Sequence, residues 1–256
     1  MTCLDRLTST STSTNTAALS LPARWQTGQQ LLLVTSPDWE SSDGYLYAFE
    51  YGKDGWQRAL PAITVSLGRN GSAWGLGLHP LQVGRRDKRE GDACSPAGLF
   101  GMGTAFGFAP HIDSRWPYQP MHARHYCVDR VDSPFYNQIV DCEHVAWADV
   151  NGSSEIMRPD LHGKSDDPCY QLGLVIKHNP KRLAHYGSCI FAHVWREPGY
   201  PTAGCTAMSV EDMRALLAWL TLESHPYWVL LPQAEHQRLY RDWNLPPPDL
   251  IENLYV

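Results

Sequence analysis

From Gln29 to Gly68, apolar and polar positions alternate with the two-residue rhythm of β-strands. The runs Gln-Leu-Leu-Leu-Val-Thr from residue 30, Gly44-Tyr-Leu-Tyr-Ala-Phe-Glu-Tyr51 and Ala62-Ile-Thr-Val-Ser-Leu-Gly68 are strand-length and rich in aromatic and β-branched residues. In the second, Tyr45, Tyr47 and Phe49 alternate with Leu46, Ala48 and Glu50, which predicts a half-buried strand. Ser42-Asp43-Gly44, Lys53-Asp54-Gly55 and Arg69-Asn70-Gly71 interrupt these runs. Asp-Gly and Asn-Gly accept positive φ at little cost, so each predicts a turn. From Gly75 to His125 the rhythm dissolves into Gly, Pro, Trp and His, and long loops shaping a cleft over a β scaffold are expected.

After Met208 the period lengthens. Ser209 is a good N-cap with Asp212 three residues on, and Met213, Leu216, Leu217 and Leu220 make one apolar helical face. Tyr227-Trp-Val-Leu-Leu231 predicts a last strand and residues 234–243 a short helix, before Pro246-Pro-Pro248 ends regular structure. The sum is a β-dominated α+β fold with no repeat and no internal linker. Residues 1–23 form a low-complexity segment, expected to be disordered or a leader, and residues 24–256 a single domain. That first segment carries neither the basic start nor the apolar stretch of a secretory leader, so the export route stays open.

A net charge of −6 over 256 residues gives no basic footprint for nucleic acid, and no apolar stretch approaches the roughly 18 residues that cross a bilayer. Seven cysteines are an odd number, which suits one free thiol and up to three disulfides. A Cys127–Cys142 bridge would close a loop of about 15 residues, worth roughly 3 kcal/mol, although most cysteines also fit as small buried hydrophobes.

Candidate chemistry gathers at Phe191-Ala-His193, which emerges from an apolar run, and at Thr202-Ala-Gly204-Cys205-Thr206 after a short loop. A thiol needs a base to become a nucleophile and donors for the oxyanion it creates, and a glycine beside it lets backbone N–H groups approach. A helix starting at Ser209 would add a modest positive field at the sulfur. A papain-like enzyme usually places its cysteine ahead of its histidine, the reverse of the order here.

This order of residues resembles the L,D-transpeptidase (YkuD-like) family, whose signature is a strand-end histidine followed by Ser/Thr-x-Gly-Cys. His193, Thr202, Gly204 and Cys205 match it in turn. Upstream, Lys88-Arg89-Glu90-Gly91-Asp92 through Ser95-Pro96 and Gly98-Leu-Phe100 is similar to a second family segment. Asp132-Ser-Pro-Phe-Tyr136-Asn137 and Leu172 to Pro180 look like others. Two positions depart, with Ala203 where His or Lys is common and Ala207 where an arginine near substrate is common.

The resemblance implies a β-sandwich or barrel with a helix after the nucleophile motif. It implies Cys205 as nucleophile, His193 as base, Thr202 in the turn, and the N–H groups of Gly204, Cys205 and Thr206 around the oxyanion. His178, Arg196, Arg89, Tyr136 and Thr206 are candidates for substrate contact, with Arg196 or Arg89 in place of the missing arginine. The implied partners are peptidoglycan stem peptides, with carbapenem-type β-lactams as covalent inhibitors, in the periplasm or outside the cell. An L,D-carboxypeptidase, a secreted cell-wall effector, or a wall-binding module without catalysis are the alternatives. Gly101-Met-Gly103-Thr-Ala-Phe-Gly107 is misspaced for a dinucleotide, and no His-Glu-x-x-His or Cys-x-x-Cys occurs, so no cofactor or metal is expected.

Overall fold

In the computed structural model, which describes residues 25–164 and 166–251, the chain begins with the three predicted strand runs. They form β1 (Gln30–Ser36), β2 (Asp43–Gly52) and β4 (Ile63–Ser66), and a further strand, β3 (Gly55–Arg58), follows β2 through the Lys53-Asp54 hairpin turn. β5 (Ser72–Trp74) and the long β6 (Ser95–Gly107) follow. Residues 108–171 then hold β7 (Tyr118–Pro120), which still pairs with β6 in the main sheet, and, off that sheet, β8 (His125–Cys127), β9 (Ile139–Asp141), helix α1 (Trp147–Val150) and β10 (Glu155–Ile156). The chain returns as β11 (Leu172–Ile176), β12 (Phe191–Val194), β13 (Thr206–Met208), α2 (Val210–Trp219), β14 (Tyr227–Pro232) and α3 (Gln233–Leu239). The segment 1–23, with Cys3 and the leader question, lies outside the described residues.

Hydrogen-bonded neighbours run β1-β14-β6-β11-β12-β13-β4-β2, and β2 pairs back onto β1. Eight strands thus close a barrel, which leaves no long open edge. Beside it, β8 pairs with β9 and β10 in a separate three-stranded sheet that forms a wall above the barrel mouth. Among the described residues no helix is long and apolar enough to cross a membrane.

Two expectations change. Leu46, Tyr47, Ala48 and Phe49 are all fully buried, so β2 is not half-exposed. One face looks into the barrel; on the other, Phe49 meets Trp56 edge-on at 6.4 Å and Trp25 in turn packs on Trp56 at 4.8 Å. The stretch from Gly75 to His125 is also not loop throughout, since it contains the 13-residue β6 that pairs with β14 and β11. Its glycines hide the strand from a propensity reading, yet packing demands them. A Cβ on Gly98 would lie 2.0 Å from the His79 ring, and one on Gly103 would lie 2.9 Å from Val175.

The helix after Met208 forms as the pattern predicts. Ser209 Oγ accepts the Asp212 N–H at 3.0 Å, and Met213, Leu216, Leu217 and Leu220 bury their face against the barrel. Cys127 pairs with Cys189 and not with Cys142, which stays free. A pairing between residues 62 apart depends on β8 being folded back over the β12 end of the barrel, information that loop spacing does not hold.

Candidate active site

β12 and β13 lie parallel, with Ala192 opposite Thr206 and His193 opposite Ala207. Cys205 is the last residue before β13, so the ladder brings it to the same end as His193. Both side chains line one cavity of about 220 Å³, together with Glu155, Cys169, Tyr170, Arg196, Thr202 and Arg69.

The turn that carries Cys205, the candidate nucleophile, is built around Thr202. Its Oγ1 accepts the Gly204 N–H at 3.0 Å and donates to Cys205 O at 2.7 Å. Ser95 Oγ also donates to Cys205 O at 2.9 Å and accepts the Gly68 N–H at 2.9 Å, so β6 buttresses the turn from below. Gly204 has φ +146°, and a Cβ there would come within 3.0 Å of Cys94 O. The glycine is therefore required by conformation and by space. Its N–H is taken by Thr202, which corrects the expectation that it faces an oxyanion. The Cys205 N–H has no hydrogen-bond partner among the described residues.

The sulfur rests on backbone. It accepts the Phe191 N–H at 3.3 Å and its thiol donates to Cys189 O at 3.5 Å, with Phe106, Met157 and Phe191 in the apolar cluster behind it. Although half-buried by surface, Cys205 has its thiol enclosed by protein, and burial pushes its pKa up to about 12, with the nearby Glu155 adding to the rise. The expected help from the α2 dipole is thus outweighed, and the resting group is a thiol.

His193 donates from Nδ1 to Val194 O at 2.8 Å, which leaves the lone pair on Nε2. Tyr170 packs edge-on against the ring at 5.6 Å. Burial lowers the imidazole pKa to about 4, so the ring is neutral across ordinary pH. Tyr170 is half-buried and its hydroxyl donates to Glu155, whose carboxyl pKa burial raises. Cys169, on the same wall, is also a thiol pushed up to about 12 by burial.

The other predicted contacts divide. Arg196 lines the cavity but is bound to Asp167, with Nη2 at 2.7 Å and Nε at 3.3 Å from Oδ2. His178 is inside the fold, where Nδ1 accepts the Leu76 N–H at 3.2 Å and Nε2 donates to Tyr186 O at 2.8 Å. Neither nitrogen is left for a substrate. Arg89 stacks 4.0 Å over Tyr186 and pairs with Asp87, away from the cavity. Tyr136 is buried and donates to Glu90, and Thr206 is buried within β13. The Lys88–Asp92 pair and Asn137 instead fix the surrounding loops. Asn137 Oδ1 accepts the Cys189 N–H at 2.9 Å and thereby helps set the carbonyl on which the Cys205 thiol rests.

Sequence reasoning missed Ser95 as a buttress, the Glu155–Tyr170 pair and Arg69. Ser95 stood inside a segment already singled out, whereas the other three carry no local signal. Among the described residues no group of three or more His, Cys, Asp or Glu side chains is placed to hold a metal ion.

No curated protein and no solved structure matches the chain. The family described as the L,D-transpeptidase catalytic domain (YkuD) matches residues 39–231, which takes in β2 to β14 and every residue of the nucleophile turn. With that match spanning well over half its length, the chain belongs to the L,D-transpeptidase catalytic domain family.

Proposed function

We propose that the protein is a cysteine-dependent L,D-transpeptidase acting on peptidoglycan stem peptides. One observation carries the reading: beside Cys205, in a shared cavity, stands a neutral histidine with one nitrogen committed and the other free. A thiol and a neutral imidazole at rest avoid burying an ion pair before substrate arrives. When a stem enters, rotation about the Cys205 side chain takes the thiol from Cys189 O toward His193 Nε2. Such catalytic contacts commonly tighten only in the substrate complex.

His193 Nε2 takes the thiol proton as sulfur bonds to the carbonyl carbon between the L-centre of the third stem residue and the terminal D-alanine. The Cys205 N–H receives the oxyanion, and buried donors are worth more there than in water. The C–N bond then breaks, the D-alanine amine leaves with the proton from His193, and a thioester remains. An acceptor amine attacks the thioester and gives its proton to His193. The thiolate departs and recovers that proton. A side-chain amine of a second stem yields a 3–3 cross-link, and a free D-amino acid yields exchange. The site of action is the periplasm or the cell exterior, and carbapenems acylate the same sulfur.

The test is mass spectrometry of muropeptides after incubation with tetrapeptide stems. Cross-linked or exchanged products that vanish in Cys205→Ala support the reading. Tripeptides alone would make the protein an L,D-carboxypeptidase, and a carbapenem adduct on Cys205→Ala would remove Cys205 from the chemistry.

A further inference from the structure

The cavity around Cys205 holds three cationic side chains besides the histidines, and they differ in what they are doing. Arg196 is neutralised by Asp167. Lys164 stands on the wall formed by residues 108–171 and makes no ion pair among the described residues. Arg69 is on the barrel side and exposed, and its guanidinium has no hydrogen bond, ion pair or ring contact among the described residues. Of the two carboxylates lining the space, Asp167 is the partner of Arg196, and Glu155 is half-buried and taken by the Tyr170 hydroxyl. The open part of the cavity therefore presents positive charge, in a chain whose net charge is −6.

The Arg69 head is free, but its backbone is held. Gly68 bridges Thr202, the Arg69 N–H donates to Thr202 O at 2.9 Å, and the Thr202 N–H donates to Leu67 O at 2.8 Å. The residue whose hydroxyl shapes the nucleophile turn therefore also fixes the Cα of Arg69 relative to Cys205. One strand inward, Ala207 faces the same cavity, opposite Ser66 of β4 on one side and His193 on the other.

We infer that Arg69 anchors a carboxylate of the acyl donor and is a specificity-determining residue for the transpeptidation proposed above, on which the inference rests. A guanidinium presents two parallel N–H donors that match a carboxylate, and a fixed Cα with a free head suits capture of a group arriving with substrate. A donor stem offers two carboxylates near its scissile bond: that of the leaving D-alanine, and that at the side-chain end of a diamino acid in position three.

The experiment uses the full chain with three synthetic tetrapeptide stems: unmodified, amidated at the D-alanine, and amidated at the side-chain carboxylate of residue three. Alkylation of Cys205 by iodoacetamide, which carries no charge, reports separately on the nucleophile turn. Arg69→Gln is expected to lower kcat/KM on the unmodified stem by about 10- to 100-fold, mainly through KM, with alkylation unchanged and partial recovery in Arg69→Lys. The parent enzyme should lose the same factor on one amidated stem, on which Arg69→Gln costs nothing further; that stem names the carboxylate. Arg69→Gln within twofold of the parent would overturn the inference while leaving the transpeptidase reading intact. So would a parallel fall in alkylation, which would make Arg69 a support for the turn. No turnover of any stem by the parent would overturn both.

Discussion

His178 and His193 are alike by most measures. His193 lies in β12 and His178 just past the end of β11, each is buried, and burial lowers each imidazole to about 4. They differ in one hydrogen bond. His178 uses both ring nitrogens on backbone, Leu76 N–H and Tyr186 O, and closes a loop. His193 uses only Nδ1 and keeps a lone pair in the cavity that holds Cys205. A depressed pKa therefore does not separate the proposed base from a structural histidine, because burial alone produces it in both. The unsatisfied nitrogen is what favours His193 as the proposed base.

The comparison breaks most sharply under substitution. His193→Gln should lower acylation of Cys205 by a carbapenem by about 10²- to 10⁴-fold, followed by intact mass, while far-UV circular dichroism stays at the parent's value. A fast-acylating variant would place the base elsewhere. His178→Ala should do the reverse, with two backbone groups orphaned at a cost of about 2–4 kcal/mol, read from the urea midpoint. Acylation per folded molecule should hold in that variant.

Acid treats the two histidines together. In the unfolded chain each takes up a proton near its ordinary value of 6.5, whereas in the fold it resists until about 4. Below pH 6.5 the unfolded state binds more protons, so stability is complete above that value and declines as pH falls toward 4. Each ring accounts for at most about 3 kcal/mol. Urea midpoints between pH 7 and 4 should show the decline, with a shallower slope in His178→Ala. The smallest effect concerns the turn. Thr202→Val removes the hydroxyl between Gly204 N–H and Cys205 O and should cost about 1 kcal/mol, with a few-fold slower iodoacetamide reaction.

How much of this could be read from the chain depends on distance along it. The nucleophile turn, the Ser209 cap and the alternating strands are written in residues a few positions apart, where hydrogen-bond geometry and periodicity leave their mark. Thr202 closing its turn and Gly204 at φ +146° follow from that local logic. The Cys127–Cys189 pairing, the Tyr170 hydroxyl on Glu155 and the entry of Arg69 into the cavity depend on how separate elements fold over one another. No spacing rule encodes them. His178 misled for a related reason: a histidine before Asn179-Pro180 looks the same in sequence whether its second nitrogen is free or bound to Tyr186 O. β6 was obscured by glycines that strand propensity penalises and interlocking with His79 and Val175 requires.

The bridge between Cys127 and Cys189 joins the roof over the active site to its floor. Cys189 also offers the carbonyl on which the reactive thiol parks. A roof stapled beside the sulfur is not free to lift like a hinged door. One covalent link therefore ties the position of the roof to the position of the carbonyl beneath the thiol, and reducing it should release both together.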